Sequence, residues 1–283
     1  MPMQANSPVY AVIGDPVAHS LSPAMHNRAL AACGLPGVYV GFRVTDLPVA
    51  VAGIRALGIR GVSVTIPHKV AVMPLLDEID DTARRIGAVN TISNESGVLK
   101  GTNTDGLGAL KALETVTAVD GRRVAILGAG GAARAVAWAL SNAGAKVALF
   151  NRTVPRAAAL ARQMNLEWGR MDNLARWRAE ILVNTTPVGM APDAGAAPVA
   201  AAILDPAMVV MDIVYNPLET TLLAAARRLG CTTVDGVQML VFQGAAQFER
   251  WTGVAAPVTV MRQAVIEALS PTLTHRHGQA AVF

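Results

Sequence analysis

Cysteine is nearly missing from this sequence: two occur in 283 residues, Cys33 and Cys231, with the spacing of neither a metal-ligand pair nor a disulfide framework. That excludes a small disulfide-stapled scaffold and points to a reducing compartment, with the cytoplasm as the expected location. Aromatic residues are scarce too, at 4%, and none is interleaved with a basic run, so the net charge of +4 does not predict a nucleic-acid partner. An anionic small molecule and a phosphate-bearing cofactor account for a mild basic surplus. Long hydrophobic runs are also lacking. Hydrophobic residues make up 52%, yet Asp, Arg, Pro or Lys interrupts every long stretch, which leaves no span of the roughly 20 apolar residues a membrane helix needs. Residues 1–8 have neither the basic start nor the apolar stretch of a signal peptide. The five histidines form no H-E-x-x-H pattern, and no metal is expected.

What is present is organised around residues 123–156. Val124, Ala125, Ile126 and Leu127 form an apolar run too short for a helix, followed at once by Gly128-Ala129-Gly130-Gly131-Ala132-Ala133 and a small-residue helix to about Ala143. A second apolar run, residues 146–150, completes a strand–turn–helix–strand unit. The glycines let the backbone turn sharply and approach a pyrophosphate, while the free N–H groups of the helix start present positive partial charge to it. Where such a unit usually places an acidic residue for a ribose hydroxyl, the chain has Asn151-Arg152-Thr153, with Arg156 close behind. Two guanidinium groups and no carboxylate predict a 2′-phosphate, and hence NADP.

The front of the chain reads as strands at 9–13, 38–44 and 61–66 separated by helices at 22–32 and 46–57, a rhythm that predicts a parallel sheet wrapped by helices. Ser22 stands where an N-cap belongs and Pro23 where the first helical residue belongs. Ser20 and Ser22, two apart before a helix N-terminus, are placed to converge on one anion such as a carboxylate. The third strand runs into Val64-Thr65-Ile66-Pro67-His68-Lys69, which puts Thr65 and Lys69 at a carboxyl end, where ligands of open α/β sheets collect. A helix over 70–76 and a hairpin turning at Ser96-Gly97 are expected next. Asn90 and Asp105 flank that hairpin as turn residues, and a helix over 106–116 carries the chain into the glycine-turn unit. Further strands at 181–185 and 209–213 and a helix over 219–229 follow. The amphipathic run 239–251 can pack back and place Gln243 in the cleft.

These motifs, together with Asn103-Thr104-Asp105-Gly106, Asn184-Thr185-Thr186-Pro187, Asp212-Ile213-Val214-Tyr215-Asn216-Pro217 and Asp235-Gly236, closely resemble those of the shikimate dehydrogenase family over nearly the whole chain. The resemblance implies an α/β protein with two parts and a cleft between them. One is a mainly parallel substrate domain, residues 1–106 completed by C-terminal helices in 240–283, and the other a Rossmann-type NADP-binding domain, residues 107–239. It implies Lys69 and Asp105 as the catalytic pair, Ser20, Ser22 and Tyr215 at the substrate carboxylate, and Thr65, Asn90, Asp105 and Gln243 at the ring hydroxyls. Cofactor contacts are implied at Gly128, Ala129, Gly130, Gly131, Ala132, Asn151, Arg152, Thr153, Arg156, Ile213 and Gly236. The implied activity is reversible reduction of 3-dehydroshikimate to shikimate by NADPH, in a monomer or homodimer. Paralogues acting on quinate or an aminoshikimate, and a non-catalytic NADP-binding regulator, are the alternatives. The polar tail, residues 270–283, is expected to fray.

Overall fold

Short apolar strands have to be covered on both faces, and the computed structural model, which describes residues 4–270, arranges them as two six-stranded sheets wrapped by helices. In the front sheet β1 (Val9–Gly14) lies between β2 (Val38–Arg43) and β3 (Gly61–Val64), all parallel, with α1 (Ser22–Ala32) and α2 (Leu47–Ala56) as the connections. Then come β4 (Glu78–Ile79), α3 (Asp81–Ile86), β5 (Thr91–Glu95) and β6 (Val98–Thr102). The hairpin at Ser96-Gly97 forms as expected, and β5 joins β3 antiparallel, so this sheet is mixed, in the order β2-β1-β3-β5-β6-β4. The tight turn at Ser96-Gly97 returns β6 antiparallel to β5, and β5 itself, reached through β4 and α3, runs against β3, so the parallel rhythm stops there. Side chains alternate between faces: Tyr10 and Val12 enter one core, Ala11 and Ile13 the other.

Residues 70–76 are not the expected helix but turns and a short 3-10 helix, Met73–Leu75. The Lys69 carbonyl accepts from the Val89 N–H at 2.8 Å instead of serving a following turn, and Pro74 has no N–H to give.

The helix α4 (Asp105–Glu114) leads into the second sheet. Its strands are β7 (Arg123–Leu127), β8 (Lys146–Phe150), β9 (Glu167–Gly169), β10 (Ile181–Asn184), β11 (Val209–Asp212) and β12 (Thr232–Val234). Between them run α5 (Gly131–Asn142), α6 (Val154–Met164), α7 (Leu174–Trp177) and α8 (Thr221–Arg228). All pairings are parallel, in the order β12-β11-β10-β7-β8-β9. The winding reverses between β7 and β10, and such a switch point leaves a crevice at the carboxyl ends of the strands.

The chain returns through α9 (Gly236–Thr252) and α10 (Val258–Leu269). The returning helix starts three residues earlier than the amphipathic run suggests, because the Asp235 carboxylate caps it by accepting from Gln238 N at 3.0 Å. On the front sheet, Val241, Phe248 and Trp251 of α9 share a core with Tyr10, Tyr39 and Met261. The two halves are seamed at α4, where glycine permits close crossings on both sides. A Cβ on Gly106 would meet the Ala135 carbonyl oxygen at 2.6 Å, and one on Gly108 the Met239 carbonyl oxygen at 2.8 Å. The expected tail beyond Ser270 lies outside the described residues, and among those no helix is long and apolar enough to cross a membrane.

His26 is buried in that front core, stacked on Tyr39 with ring centroids 4.4 Å apart. Burial lowers its pKa from 6.5 to about 3. The unfolded chain therefore takes up a proton that the folded one refuses, so stability falls as pH drops from about 6.5 towards 3, by up to ~1.4 kcal/mol per unit. Urea unfolding at pH 7, 6, 5 and 4 should show this slope, and His26→Phe should flatten it. An unchanged slope in that variant would place the acid sensitivity elsewhere.

Candidate active site

At the carboxyl end of β3 the chain leaves the sheet through Thr65, half-buried and tied by its N–H to the Ile13 carbonyl at 2.9 Å. His68 is not aimed at the crevice; its Nε2 is held by the Val44 carbonyl at 2.9 Å. The turn that His68 anchors delivers Lys69, whose ammonium pairs with the Asp105 carboxylate. Asp105 is the first residue of α4, one position earlier than the helix was expected, and its N–H is received by the Asn103 carboxamide at 3.0 Å. With side-chain exposures of 16% for Lys69 and 7% for Asp105, this pair is shielded but still reachable from one side. Charges so placed stay ionised only if each finds a partner and the remaining lone pairs are satisfied.

Asn90 supplies that second satisfaction. Its Nδ2 donates to Asp105 Oδ1 at 2.8 Å and to Thr104 Oγ1 at 3.0 Å, while its Oδ1 accepts from Thr104 N at 2.8 Å. Asn90, which the family resemblance sets at the ring hydroxyls, is 2% exposed and lies just ahead of β5 rather than in a solvated turn. Gln243, from the returning α9, brings its Oε1 within 3.3 Å of the same Asn90 Nδ2. Lys69, Asn90, Asp105 and Gln243, spread over most of the chain, thus meet at one point.

The other expected substrate contacts come from separate elements and make no hydrogen bond to these four residues. Ser22 is buried and Ser20 half-buried, with the Ser22 N–H donated to Ser20 Oγ at 3.3 Å. Ser22 is the first residue of α1 rather than its cap: Leu21 occupies the cap position, and no side chain caps the helix. The Ser22 hydroxyl does not cap the helix because the backbone already turns helical at Leu21; it lies within hydrogen-bonding reach of the Tyr39 phenol instead. Tyr215, from the loop after β11, packs against the front core, and burial raises its pKa.

On the facing side the glycine turn is built as the sequence predicts. Gly128 has φ +121, a conformation only glycine adopts freely, and a Cβ there would stand 2.5 Å from Thr185 Oγ1. Gly130 has open space where a side chain would stand, and no side chain caps α5. The first N–H groups of α5, those of Gly131, Ala132 and Ala133, precede the first helical bond, from Arg134 N–H to the Gly130 carbonyl, and are free to receive an anion. Ala129 is half-buried at the same turn. A Cβ on Gly131 would touch the Lys69 side chain, 3.5 Å from Cδ, so the Lys69–Asp105 pair and the glycine turn adjoin. Asn151 ends the turn after β8 by donating to the Thr153 carbonyl at 3.0 Å, and Arg152, Thr153 and Arg156 stand exposed beside it. Gly236 is buried, crowded by the carbonyl oxygens of Ile213 and Val214, so glycine is required there for packing; Ile213 itself is half-buried.

Sequence reasoning passes over the buried groups that hold the site. Asp212 is fully buried, its pKa raised by burial, and it accepts from Thr220 Oγ1 at 2.8 Å, Asn184 Nδ2 at 2.9 Å and Val214 N at 3.0 Å. Those bonds fix the loop that carries Ile213 and Tyr215. Thr91, Asn103 and Gln247 are equally unannounced; their only signal is a polar residue within an otherwise apolar or turn-like stretch. Chemically, the assembled groups form a shielded proton donor and acceptor beside a seat for a phosphate-bearing ligand.

Comparison with known proteins agrees along the chain. A model of the shikimate dehydrogenase substrate binding domain matches residues 12–92, one of shikimate / quinate 5-dehydrogenase residues 110–187, and one of the shikimate 5′-dehydrogenase C-terminal domain residues 236–266. The NADP(+) shikimate dehydrogenase of Geobacillus kaustophilus is 49% identical over 271 residues, covering 92% of this chain and 98% of that protein. A shikimate dehydrogenase crystallised with NADP+ superposes with a TM-score of 0.92 at 44% identity, covering 95% of this chain and 98% of that one. The shikimate 5-dehydrogenase of Thermus thermophilus, crystallised with NADP(H) and shikimate, gives 0.87 at 41% identity, covering 93% and 100%.

The strained turn supports a direct test. Gly128→Ala should destabilise the fold by about 1–3 kcal/mol, from the disallowed φ and the contact with Thr185. Chemical denaturation measures this, and a variant as stable as the parent would show that the turn relaxes at no cost.

Proposed function

The chain belongs to the shikimate dehydrogenase family, and from that premise we infer that it is an NADP-dependent oxidoreductase interconverting 3-dehydroshikimate and shikimate in chorismate and aromatic amino-acid biosynthesis. The observation that carries this reading is the shielded Lys69–Asp105 pair with the Lys69 stem against Gly131, the first residue of the helix that faces the cofactor phosphates.

The residues present fit NADP. Gly130 leaves open space at the turn, the start of α5 is uncapped, and two exposed arginines stand where a 2′-phosphate would need them. Residues Gly128 to Ala132 would hold the pyrophosphate, Asn151, Arg152, Thr153 and Arg156 would hold the 2′-phosphate end, and Ile213 and Gly236 would border the nicotinamide. When bound, the cofactor supplies the hydride.

The chain's own part is to seat the substrate and handle one proton. Ser20, Ser22 and Tyr215 receive the carboxylate; Thr65, Asn90 and Gln243 receive ring hydroxyls. Protonated Lys69 donates to the C3 oxygen as negative charge develops on it, and Asp105 orients Lys69 and balances its charge. In the oxidative direction the pair takes the proton back from the 3-hydroxyl. The substrate domain comprises residues 1–106 completed by 240–283, with residues 107–239 as the NADP domain; α4 and α9 are the two crossings between them. The protein works as a monomer or homodimer in the cytoplasm, which its two free thiols support.

Initial rates with shikimate and with quinate, each against NADP and NAD, test the reading. Shikimate with NADP should be the fastest of the four, and silence in all four would overturn it. Lys69→Ala should lower kcat by about 10²- to 10⁴-fold while leaving NADPH binding nearly intact; near-normal turnover would remove Lys69 from the chemistry. Arg152→Ala should weaken NADPH by roughly 10- to 150-fold, with NADH little affected. Equal loss with both cofactors would mark that arginine as structural.

A further inference from the structure

We propose that Gln247, a buried glutamine of α9 that reaches no substrate group, is a positioning residue: through Thr91 it sets the amide of Asn90, and through Asn90 the carboxylate of Asp105. The proposal rests on the reading of Lys69 and Asp105 as the proton-handling pair.

The bonds form one unbroken line. The Tyr39 phenol donates to Ser63 Oγ at 2.6 Å, and Ser63 donates to Gln247 Oε1 at 2.8 Å. Gln247 Nε2 donates to Thr91 Oγ1 at 2.9 Å and to the Asn90 carbonyl at 3.2 Å. Thr91 donates to Asn90 Oδ1 at 2.7 Å, and Asn90 Nδ2 donates to Asp105 Oδ1 at 2.8 Å. Tyr39, Asn90, Thr91 and Gln247 are each at most 2% exposed, so water does not substitute for a missing member.

Direction follows from counting protons. Each hydroxyl has one proton to give, and burial holds the Tyr39 phenol protonated at one end. Ser63, receiving from Tyr39, gives its proton to Gln247, which turns the Gln247 carbonyl to Ser63 and its NH2 to Thr91. Thr91, receiving from Gln247, gives its proton to Asn90 Oδ1, which also accepts from the Thr104 N–H at 2.8 Å, and the two donors together leave the Asn90 NH2 facing Asp105. An amide donor there favours the charged carboxylate, whereas a flipped Asn90 would set oxygen against oxygen. Such a line in a low-dielectric interior reinforces each of its bonds.

Among the described residues Lys69 is the charged group paired with Asp105, and His26 and Tyr39 are the titratable groups at the far end. Arg134 on α5, the helix packed on α4, is turned to Gln163; Lys111 on α4 and Glu249 and Arg250 on α9 are exposed. Lys100, from the β5–β6 hairpin, pairs with Glu78 and Glu95. None of these replaces the Asn90 donor.

The test compares kcat, KM and the pH profile of kcat for the parent, Gln247→Glu, Ser63→Ala and Ser63→Thr, with melting temperature and NADPH affinity as controls. The carboxylate of Gln247→Glu presents an acceptor to Thr91 and draws its proton away from Asn90 Oδ1, leaving the Thr104 N–H alone to hold the Asn90 amide. Its kcat should fall on the order of 10- to 100-fold, the acid limb of the profile should move to higher pH, and NADPH affinity should stay near the parent value. Ser63→Ala should show the same signature more weakly, and Ser63→Thr, which keeps the hydroxyl, should restore it. Parental kcat and an unmoved acid limb in Gln247→Glu would overturn the proposal, whatever happens to the melting temperature. Should Gln247→Glu fail to fold, the Ser63 pair decides alone, with equal kcat and limb position in both variants being the contrary result. A parent chain inactive with shikimate and NADP would instead strike the functional reading, so the two failures are distinct.

Discussion

Asp105 is a carboxylate drawn almost wholly out of water at the start of a helix, and the arrangement of both halves answers its charge. Lys69 offers the opposite charge, Asn90 an amide donor, and the Asn103 carboxamide steadies the backbone beneath it. Removing any one leaves a buried ion short of partners, which is far costlier than never having buried it. The groups around Asp105 are thus fixed by the fold itself, and their orientation leaves little to reorganise.

That constraint explains the seam. Asp105 begins α4, and α4 is pressed between α5 of the nucleotide side and α9 returning to the front sheet. Gly106 and Gly108, two apart, remove the side chains that would hold those helices away. The close approach lets Gln243 and Gln247, one turn apart on α9, reach Asn90 from the opposite side of the chain's path. It also brings Gly131 against the Lys69 stem, so the phosphate-binding turn and the proton donor are set by the same packing.

The two ends of the site are built on opposite principles. Around Asp105, neutral amides and hydroxyls in a dry interior hold one defined pattern, where each bond is strong because water is excluded. Around Arg152 and Arg156, charged groups stand exposed to solvent without such prior fixation, and salt screens their interactions.

Read alone, the residues determine the strands, the glycine turn and the two arginines, because each is written in neighbours: a short apolar run, a glycine at a forced φ, a guanidinium where an acid usually stands. Lys69, Asp105 and Gln243 are legible through motif spacing as well. Ser22 as a helix residue rather than a cap, the loss of helix in 70–76, the burial of Asn90 and the roles of His26 and Gln247 are not. Those depend on partners far away in the chain: the Val89 N–H claims the Lys69 carbonyl, and Gln247 meets the Asn90 carbonyl from 157 positions away. A polar residue carries no local mark of which distant group will satisfy it; only the tertiary structure, which removes water from both at once, makes that choice.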